Sequence, residues 1–247
     1  MTLLIEALSY IFDPENLIGA KGILPRLVDH LFYTGISMAI AMAIGIPLGL
    51  LIGHTRKGRN IVVAATSSFR AVPTFGLLLF IILFTGLGLW PLVAVLVILA
   101  VPPLLAGAYS GLDAINRSTI DASRAIGMTE WQILLKVEIP LGLPLILGGV
   151  RSAVLQVIAT ATIAGYVGLT GLGRFIIEGL ALRNYTLALV GAILVAVLAI
   201  AVDGLLALIQ KLVVPRGVSR GMTRITISRP KRRARLVPSV ATPIKEG

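Results

Sequence analysis

The chain has 247 residues, of which 57% are apolar and only 13% are charged. Soluble domains average about 45–50% apolar and about 25% charged residues, so this composition excludes a soluble globular domain as the main architecture. It also excludes an intrinsically disordered or collagen-like chain. The sequence contains no cysteine, which excludes a disulfide framework, a thiol nucleophile and a cysteine-based metal site.

The net charge of +11 is concentrated in the C-terminal segment. Residues 216–247 carry nine basic residues and one acidic residue, whereas residues 1–215 carry thirteen and ten. The C-terminal segment has three prolines and no aromatic residue, which does not fit a nucleic-acid-binding surface. We therefore expect a disordered, basic cytoplasmic tail beside anionic lipid headgroups, and no nucleic-acid partner.

Long uncharged runs predict that the chain crosses the membrane five times, since about twenty apolar residues span a bilayer. The uncharged stretch 71–112 is long enough for two spans, and Gly, Trp and Pro within 85–91 mark the turn between them. The fold class is therefore all-α, a polytopic membrane protein with five transmembrane helices. The predicted spans are 31–53, 61–84, 91–109, 139–164 and 185–210.

The distribution of Lys and Arg between the loops predicts the orientation. With five alternating spans, sixteen basic residues fall on one side of the membrane and four on the other. The basic side is expected to be cytoplasmic, which puts the N-terminus outside and the C-terminus inside a bacterial plasma or inner membrane. Residues 1–30 do not resemble a cleavable signal peptide and are interpreted as an external amphipathic segment, followed by a transmembrane domain over 31–215.

The segment 110–139, between the third and fourth spans, is longer than a minimal connector and carries two helix-start patterns. Gly127 lies between the two patterns and suits the left-handed residue that ends a helix. The segment thus predicts a short helix over 119–126, a turn at Gly127 and a second helix from Glu130, an elbow typical of a docking surface. The two capping-box-like pairs are Ser118 with Asp121 and Thr129 with Gln132.

This segment resembles the EAA loop of the permease subunits of binding-protein-dependent ABC importers. Asp121 stands where the family has Glu, and Ser123 stands where it has the second Ala. Residues 70–74 and 160–173 are more particularly similar to the osmoprotectant branch, and the resemblance covers 31–213. The residues that match the coupling loop are Asp121, Ala122, Ser123, Gly127, Ile139 and Pro140.

The resemblance implies a methionine-importer-like permease fold and a translocation pathway for osmoprotectants such as glycine betaine, carnitine or choline. The implied partners are two copies of an ABC ATPase subunit, a second permease that is an identical copy or a paralogue, and an extracytoplasmic binding protein. The chain has no G-x-x-x-x-G-K-[ST] phosphate loop. We therefore expect that it is not an enzyme, that it carries no cofactor or metal, and that the partner ATPase binds ATP and Mg.

Polar residues inside the predicted spans are candidates for the pathway or its gate. For the ionisable ones, including Asp203, two interpretations stay open: they face the pathway, or they pair with one another or reach an interface. His30 and His54 lie at span ends and are assigned no metal or catalytic role. The Tyr and Trp residues are scattered, so we predict no aromatic cage. The pathway candidates are Arg70, Pro73, Thr74, Arg151, Gln156, Thr160 and Thr162.

The glycines and the acidic residues bear on the remaining alternatives. Glycines at every fourth position from Gly45 to Gly53 give the first span a smooth face for helix packing, within the chain or between permeases. An ABC permease for another small solute, such as an amino acid, is the main alternative function. An ion-coupled secondary carrier would need acidic residues at the midplane and two repeated halves, but Asp203 is the only acid within the confident spans.

Overall fold

The computed structural model describes residues 2–19, 21–58, 60, 62, 64 and 72–214, and the regular elements of this part of the chain are all helical. A π-helical segment, Leu134–Glu138, directly precedes the long helix Ile139–Thr160, and a 3-10 segment, Ala161–Val167, directly follows it. The α-helices are α1 (Thr2–Phe12), α2 (Pro14–Leu17), α3 (Ile23–Thr55), α4 (Thr74–Thr85), α5 (Leu89–Asp113), α6 (Arg117–Ala125), α7 (Glu130–Ile133), α8 (Ile139–Thr160), α9 (Gly173–Ala181) and α10 (Tyr185–Val213).

Four helical stretches of the described residues are long and apolar enough to cross a membrane: α3, α5, Glu130–Val167 and α10. The all-α membrane fold predicted from the sequence is confirmed. The predicted span 61–84 falls partly outside the described residues, and its described helical part is α4, which has 12 residues. The first span is longer than predicted, because α3 begins at Ile23 rather than near Leu31.

Helix α5 lies at the centre of the bundle, and the glycine face of α3 packs against it. A Cβ on Gly49 would lie 2.6 Å from the Cβ of Ala108 and 2.7 Å from the carbonyl oxygen of Leu105. Gly45 and Gly53 lie four residues before and after Gly49, and they approach α5 at similarly short distances. The predicted packing role of these glycines is thus confirmed within the chain, since only a residue without a side chain permits so close an approach.

On its other side, α5 makes an equally close contact with α8. A Cβ on Gly107 would lie 2.6 Å from the Cα of Gly149, so the two backbones touch directly. The core cluster includes Leu96 and Leu104 of α5 together with Val157 of α8. This packing fixes α8 beside α5 and leaves the opposite face of α8 exposed.

At the end of the bundle opposite the predicted elbow, α1 and α9 pack against α10 and the start of α3. Helix α1 packs against α10, where the hydroxyl of Thr186 donates a hydrogen bond of 2.8 Å to the Glu6 carboxylate. Arg26, in the first turn of α3, is buried and bonds Glu178 of α9 at 3.0 Å while stacking over the Phe175 ring at 4.0 Å. These contacts join the start of α3 to α9.

Candidate functional site

The predicted elbow exists, with one correction to its first helix. Helix α6 spans Arg117–Ala125 rather than 119–126. The predicted capping pair of Ser118 and Asp121 is wrong, because the Asn116 side chain caps the helix by accepting a hydrogen bond of 3.1 Å from the Ser118 backbone N–H. Asn is a strong N-cap residue whose side chain competes well for this bond. The second capping box, between Thr129 and Gln132, is confirmed.

Gly127 ends α6 in the left-handed conformation, with φ at +85°, as the sequence predicts. An ion pair between Arg124 and Glu130, called the brace below, spans the turn at Gly127. The Arg124 guanidinium donates two hydrogen bonds to the Glu130 carboxylate, of 2.8 Å from Nε and 3.1 Å from Nη2. This fork-like geometry fixes orientation as well as distance. The hydrogen bond to Glu130 raises the pKa of Arg124 above its ordinary value, so the brace stays charged at any physiological pH.

His54, at the end of α3, connects the elbow to the bundle. Its Nδ1 lies 2.5 Å from the Glu138 carboxylate, and its Nε2 lies 3.4 Å from the Glu130 carboxylate. Glu138 is buried, with 5% of its side chain exposed, and a buried carboxylate needs a hydrogen-bonded partner. Because Glu138 is part of the π-helical segment and Glu130 begins α7, the elbow, α3 and α8 share one polar network.

The outer face of the elbow is exposed and carries apolar as well as small residues. Asp121 and Ala122 are exposed, and the large side chains of Ile126 and Trp131 are 79% and 73% exposed. An apolar residue this exposed beside a charged segment is typical of a protein-binding surface. Ser123, in contrast, is buried and donates a hydrogen bond of 2.9 Å to the Thr119 carbonyl, so it belongs to the inner face of α6.

Ile139 and Pro140 are half-buried where α8 begins. Proline has no backbone N–H and its ring would clash with the carbonyl four residues earlier, which is that of Lys136. A π-helical segment is a local widening of a helix. Here the π-helical segment Leu134–Glu138 ends two residues before Pro140 and includes Lys136. The chain therefore passes from the elbow into α8 without breaking the helix.

The exposed face of α8 changes character along its length. Near the elbow its exposed residues are leucines, whereas farther along they are small or polar. A lipid-facing stripe stays apolar throughout, so polar residues at membrane depth indicate contact with protein or with a water-filled path. In order from the elbow, the exposed residues are Leu141, Leu145, Gly148, Ser152, Gln156 and Ala159.

Of the other pathway candidates, two lie at the end of α8 and one forms an ion pair between helices. Thr160 is half-buried at the end of α8, and Thr162 donates a hydrogen bond of 2.8 Å to the Ala159 carbonyl. Arg151 instead forms a two-point ion pair with Asp203 of α10, with Nη2 and Oδ2 2.5 Å apart, so the pairing interpretation applies to both. Arg70 lies outside the described residues.

Pro73 and Thr74 lie where α4 begins: Pro73 is the N-cap and is exposed, and Thr74 is the first helical residue. The next residue, Phe75, contacts Tyr166 of the 3-10 segment edge to face. The two predicted pathway segments are thereby brought together in the structure, although they are about ninety residues apart in sequence.

Sequence reasoning missed the polar network and the aromatic pair. Glu138 offered a signal, since it is the acidic residue directly before the apolar run that starts at Ile139. His54 offered another, because it directly follows the glycine face of the first span. Nothing in the spacing of Phe75 and Tyr166 predicts their contact, which arises only from the packing of α4 against the 3-10 segment.

A helical membrane bundle with a two-helix elbow and an exposed polar face on one long helix is typical of the membrane components of solute transport systems. Residues 45–215 match the profile of the binding-protein-dependent transport system inner membrane component family. The chain belongs to this family.

Its curated relatives include permease proteins matched over most of their length. The chain is 35% identical to the carnitine transport permease protein OpuCB of Listeria monocytogenes, over 84% of this chain and 94% of that protein. It is 32% identical to the glycine betaine/carnitine/choline transport system permease protein OpuCB of Bacillus subtilis, over 80% and 91% of the two chains. It is 34% identical to the osmoprotectant import permease protein OsmW of Salmonella typhimurium, over 77% and 91%.

Solved structures show the same fold. A chain of the MetNI methionine ABC transporter in an inward-facing conformation superposes with a TM-score of 0.69 at 27% identity, covering 78% of this chain and 97% of that one. The chain is therefore a permease-type inner membrane component of an ABC importer, a family that works with ATPase and binding-protein partners.

Proposed function

We propose that this chain forms the translocation pathway of an ATP-driven importer for quaternary ammonium osmoprotectants such as glycine betaine, carnitine or choline. The polar face of α8 supports the pathway role most directly, because Ser152 and Gln156 lie exposed on a long apolar helix that packs against α5 on its opposite side. The substrate class rests on the relatives, whose names specify carnitine, choline and glycine betaine.

The elbow is proposed as the site where the ATPase docks. Ala122 and Ile126 present a small and an apolar surface outward, while the brace and the His54 network bind the elbow to α3 and α8. Movement of a docked ATPase would therefore move α6 as a rigid body and reach α3 and α8 directly, and packed helices respond by switching between discrete states.

The complete importer is proposed to contain two ATPase subunits, a second permease and an extracytoplasmic binding protein. ATP and Mg bind the ATPase, and this chain contributes no cofactor. The permeases are two copies of this chain or this chain with a paralogue. In either arrangement the polar face of α8 would meet the second permease across the pathway, which explains why a single chain leaves that face exposed.

The proposed orientation puts the N-terminus outside and the C-terminus in the cytoplasm. It is supported by the excess of basic residues in the loops on the side of the elbow, where the ATPase also has access to ATP. Cysteines introduced at positions 2 and 247 and labelled from outside intact cells test it. Labelling at position 2 alone agrees with the proposal, and labelling at position 247 contradicts it.

Uptake into proteoliposomes tests the transport function. The chain is reconstituted with the ATPase and binding protein of its own transport system, and uptake of labelled glycine betaine, carnitine, choline and methionine is compared with and without ATP. ATP-dependent uptake of the quaternary amines is expected. Uptake of methionine alone would instead indicate an amino-acid importer, and uptake driven by an ion gradient without ATP would indicate a secondary carrier.

A further inference from the structure

Two aromatic rings from distant parts of the chain meet beside the polar face of α8. Phe75 lies in the first turn of α4, and Tyr166 lies in the 3-10 segment that continues α8. Their ring centroids are 4.8 Å apart and their planes are inclined at 63°. Phe75 is 43% exposed and Tyr166 is 51% exposed. The pair is thus an open corner of two rings, with ring surface still available to a third group.

The position of Tyr166 in the chain places this corner at the end of the polar face of α8. The 3-10 segment Ala161–Val167 is the end of the apolar stretch Glu130–Val167. The polar face of α8 leads to the same place through Gln156 and Thr160. The aromatic corner therefore lies at the end of the proposed pathway.

The chemistry of the corner fits a quaternary ammonium group. Such a group has no N–H to donate, so hydrogen-bond acceptors recognise it poorly, whereas the face of an aromatic ring attracts it electrostatically. A carboxylate could also attract it: Asp29 accepts a hydrogen bond from Thr170, just beyond the 3-10 segment, and Asp203 of α10 is paired with Arg151. Two rings alone would hold the cation weakly, which suits a point of passage rather than a storage site.

From this geometry we propose that Phe75 and Tyr166 form a transient binding site for the quaternary ammonium group of the substrate during its passage. The inference rests on the proposed function and adds the residues that contact the cationic end of the substrate. The sequence predicts no aromatic cage of clustered Tyr and Trp residues, and the proposed site is instead a pair of rings from distant parts of the chain.

Substitutions that remove one ring while keeping an apolar side chain test the site in the reconstituted importer. Phe75→Leu and Tyr166→Leu are each expected to lower the uptake of choline and glycine betaine per ATP hydrolysed by roughly three- to tenfold. Tyr166→Phe restores the ring and is expected to recover most of that loss. Phe80→Leu is the matched control, because Phe80 is an exposed ring of the same helix that pairs edge to face with Phe84 instead.

Fluorinated phenylalanines at position 166 separate cation binding from packing. Successive fluorines weaken the negative face of the ring with little change in shape, so uptake should fall step by step as fluorines are added. They also keep the test valid if a leucine variant fails to fold.

Three results would overturn the proposal. Leucine variants that transport at the wild-type rate would exclude the site. If uptake falls in Tyr166→Leu but does not change with the number of fluorines on the ring at position 166, the rings serve packing and not cation binding. Neither result would affect the proposed transport function. If the wild-type importer transports no quaternary amine, the proposed function fails and this inference fails with it.

Discussion

Replacing Gly127 by alanine is expected to weaken the coupling of ATP hydrolysis to transport without preventing membrane insertion. Gly127 has φ at +85°, and an added Cβ would meet no atom within 4 Å. The cost is therefore backbone strain alone, roughly 1–2 kcal/mol for a residue with a Cβ in the left-handed region. Since 1.4 kcal/mol is a factor of ten, the native elbow would lose roughly five- to thirtyfold in population against relaxed alternatives.

The assay is the ratio of substrate transported to ATP hydrolysed in proteoliposomes. Asparagine tolerates the left-handed region better than alanine does, so Gly127→Asn should lie between alanine and the wild type. Gly35→Ala is the control, because Gly35 is exposed within α3 and an added Cβ also meets no atom within 4 Å, but its φ is ordinary. A wild-type ratio for Gly127→Ala would refute the reasoning that the left-handed turn sets the coupling geometry.

Three further predictions probe packing and charge. Gly49→Val should abolish stable insertion, because its Cβ would collide with the backbone of Leu105, and overpacking of this kind costs about 1–3 kcal/mol or more; normal yield in detergent would contradict this. His54→Ala should lower the free energy of unfolding by about 1–3 kcal/mol, since it leaves the buried Glu138 carboxyl group without its hydrogen-bond partner, and adding Glu138→Gln should recover part of the loss. No recovery in the double variant would show that the pair is not the cause. Burial alone would raise the pKa of Glu178, but hydrogen bonds from two arginines outweigh it and lower the pKa below its ordinary value. The stabilisation is therefore present above about pH 4.3, the unfolded value, and is lost as the pH falls through the folded pKa. The thermal stability of the wild type should then exceed that of Glu178→Gln at pH 7 and converge with it in acid, and a constant difference would contradict this sign.

The sequence predicted those features that depend on local pattern. Uncharged runs predicted the long helices, and Gly127 with the Thr129 capping box predicted the elbow within two residues. The glycine spacing from Gly45 to Gly53 predicted a packing face, because residues four apart share one side of a helix. Each of these signals acts within a few turns of one helix.

Features that depend on contacts between helices were not predicted. The sequence leaves open whether Arg151 faces the pathway, or forms an ion pair or reaches an interface. Only the packing of α8 against α10 places Arg151 beside Asp203. The start of α3 at Ile23 was missed because Arg26 and Asp29 interrupt the apolar run. Arg26 is tolerated there through its bond to Glu178 and its stacking on Phe175, neither of which is visible in the sequence.

Photo-crosslinking from position 122 tests most directly the central claim that an ATPase drives this permease through the elbow. A benzoylphenylalanine replaces Ala122 on the exposed face of α6, and a second variant carries it at Leu83, an exposed residue of α4. In the assembled importer, we expect position 122 to form a covalent adduct with the ATPase subunit and position 83 to form none. If position 122 gives no adduct with the ATPase while the assembled complex hydrolyses ATP, the elbow is not the coupling element.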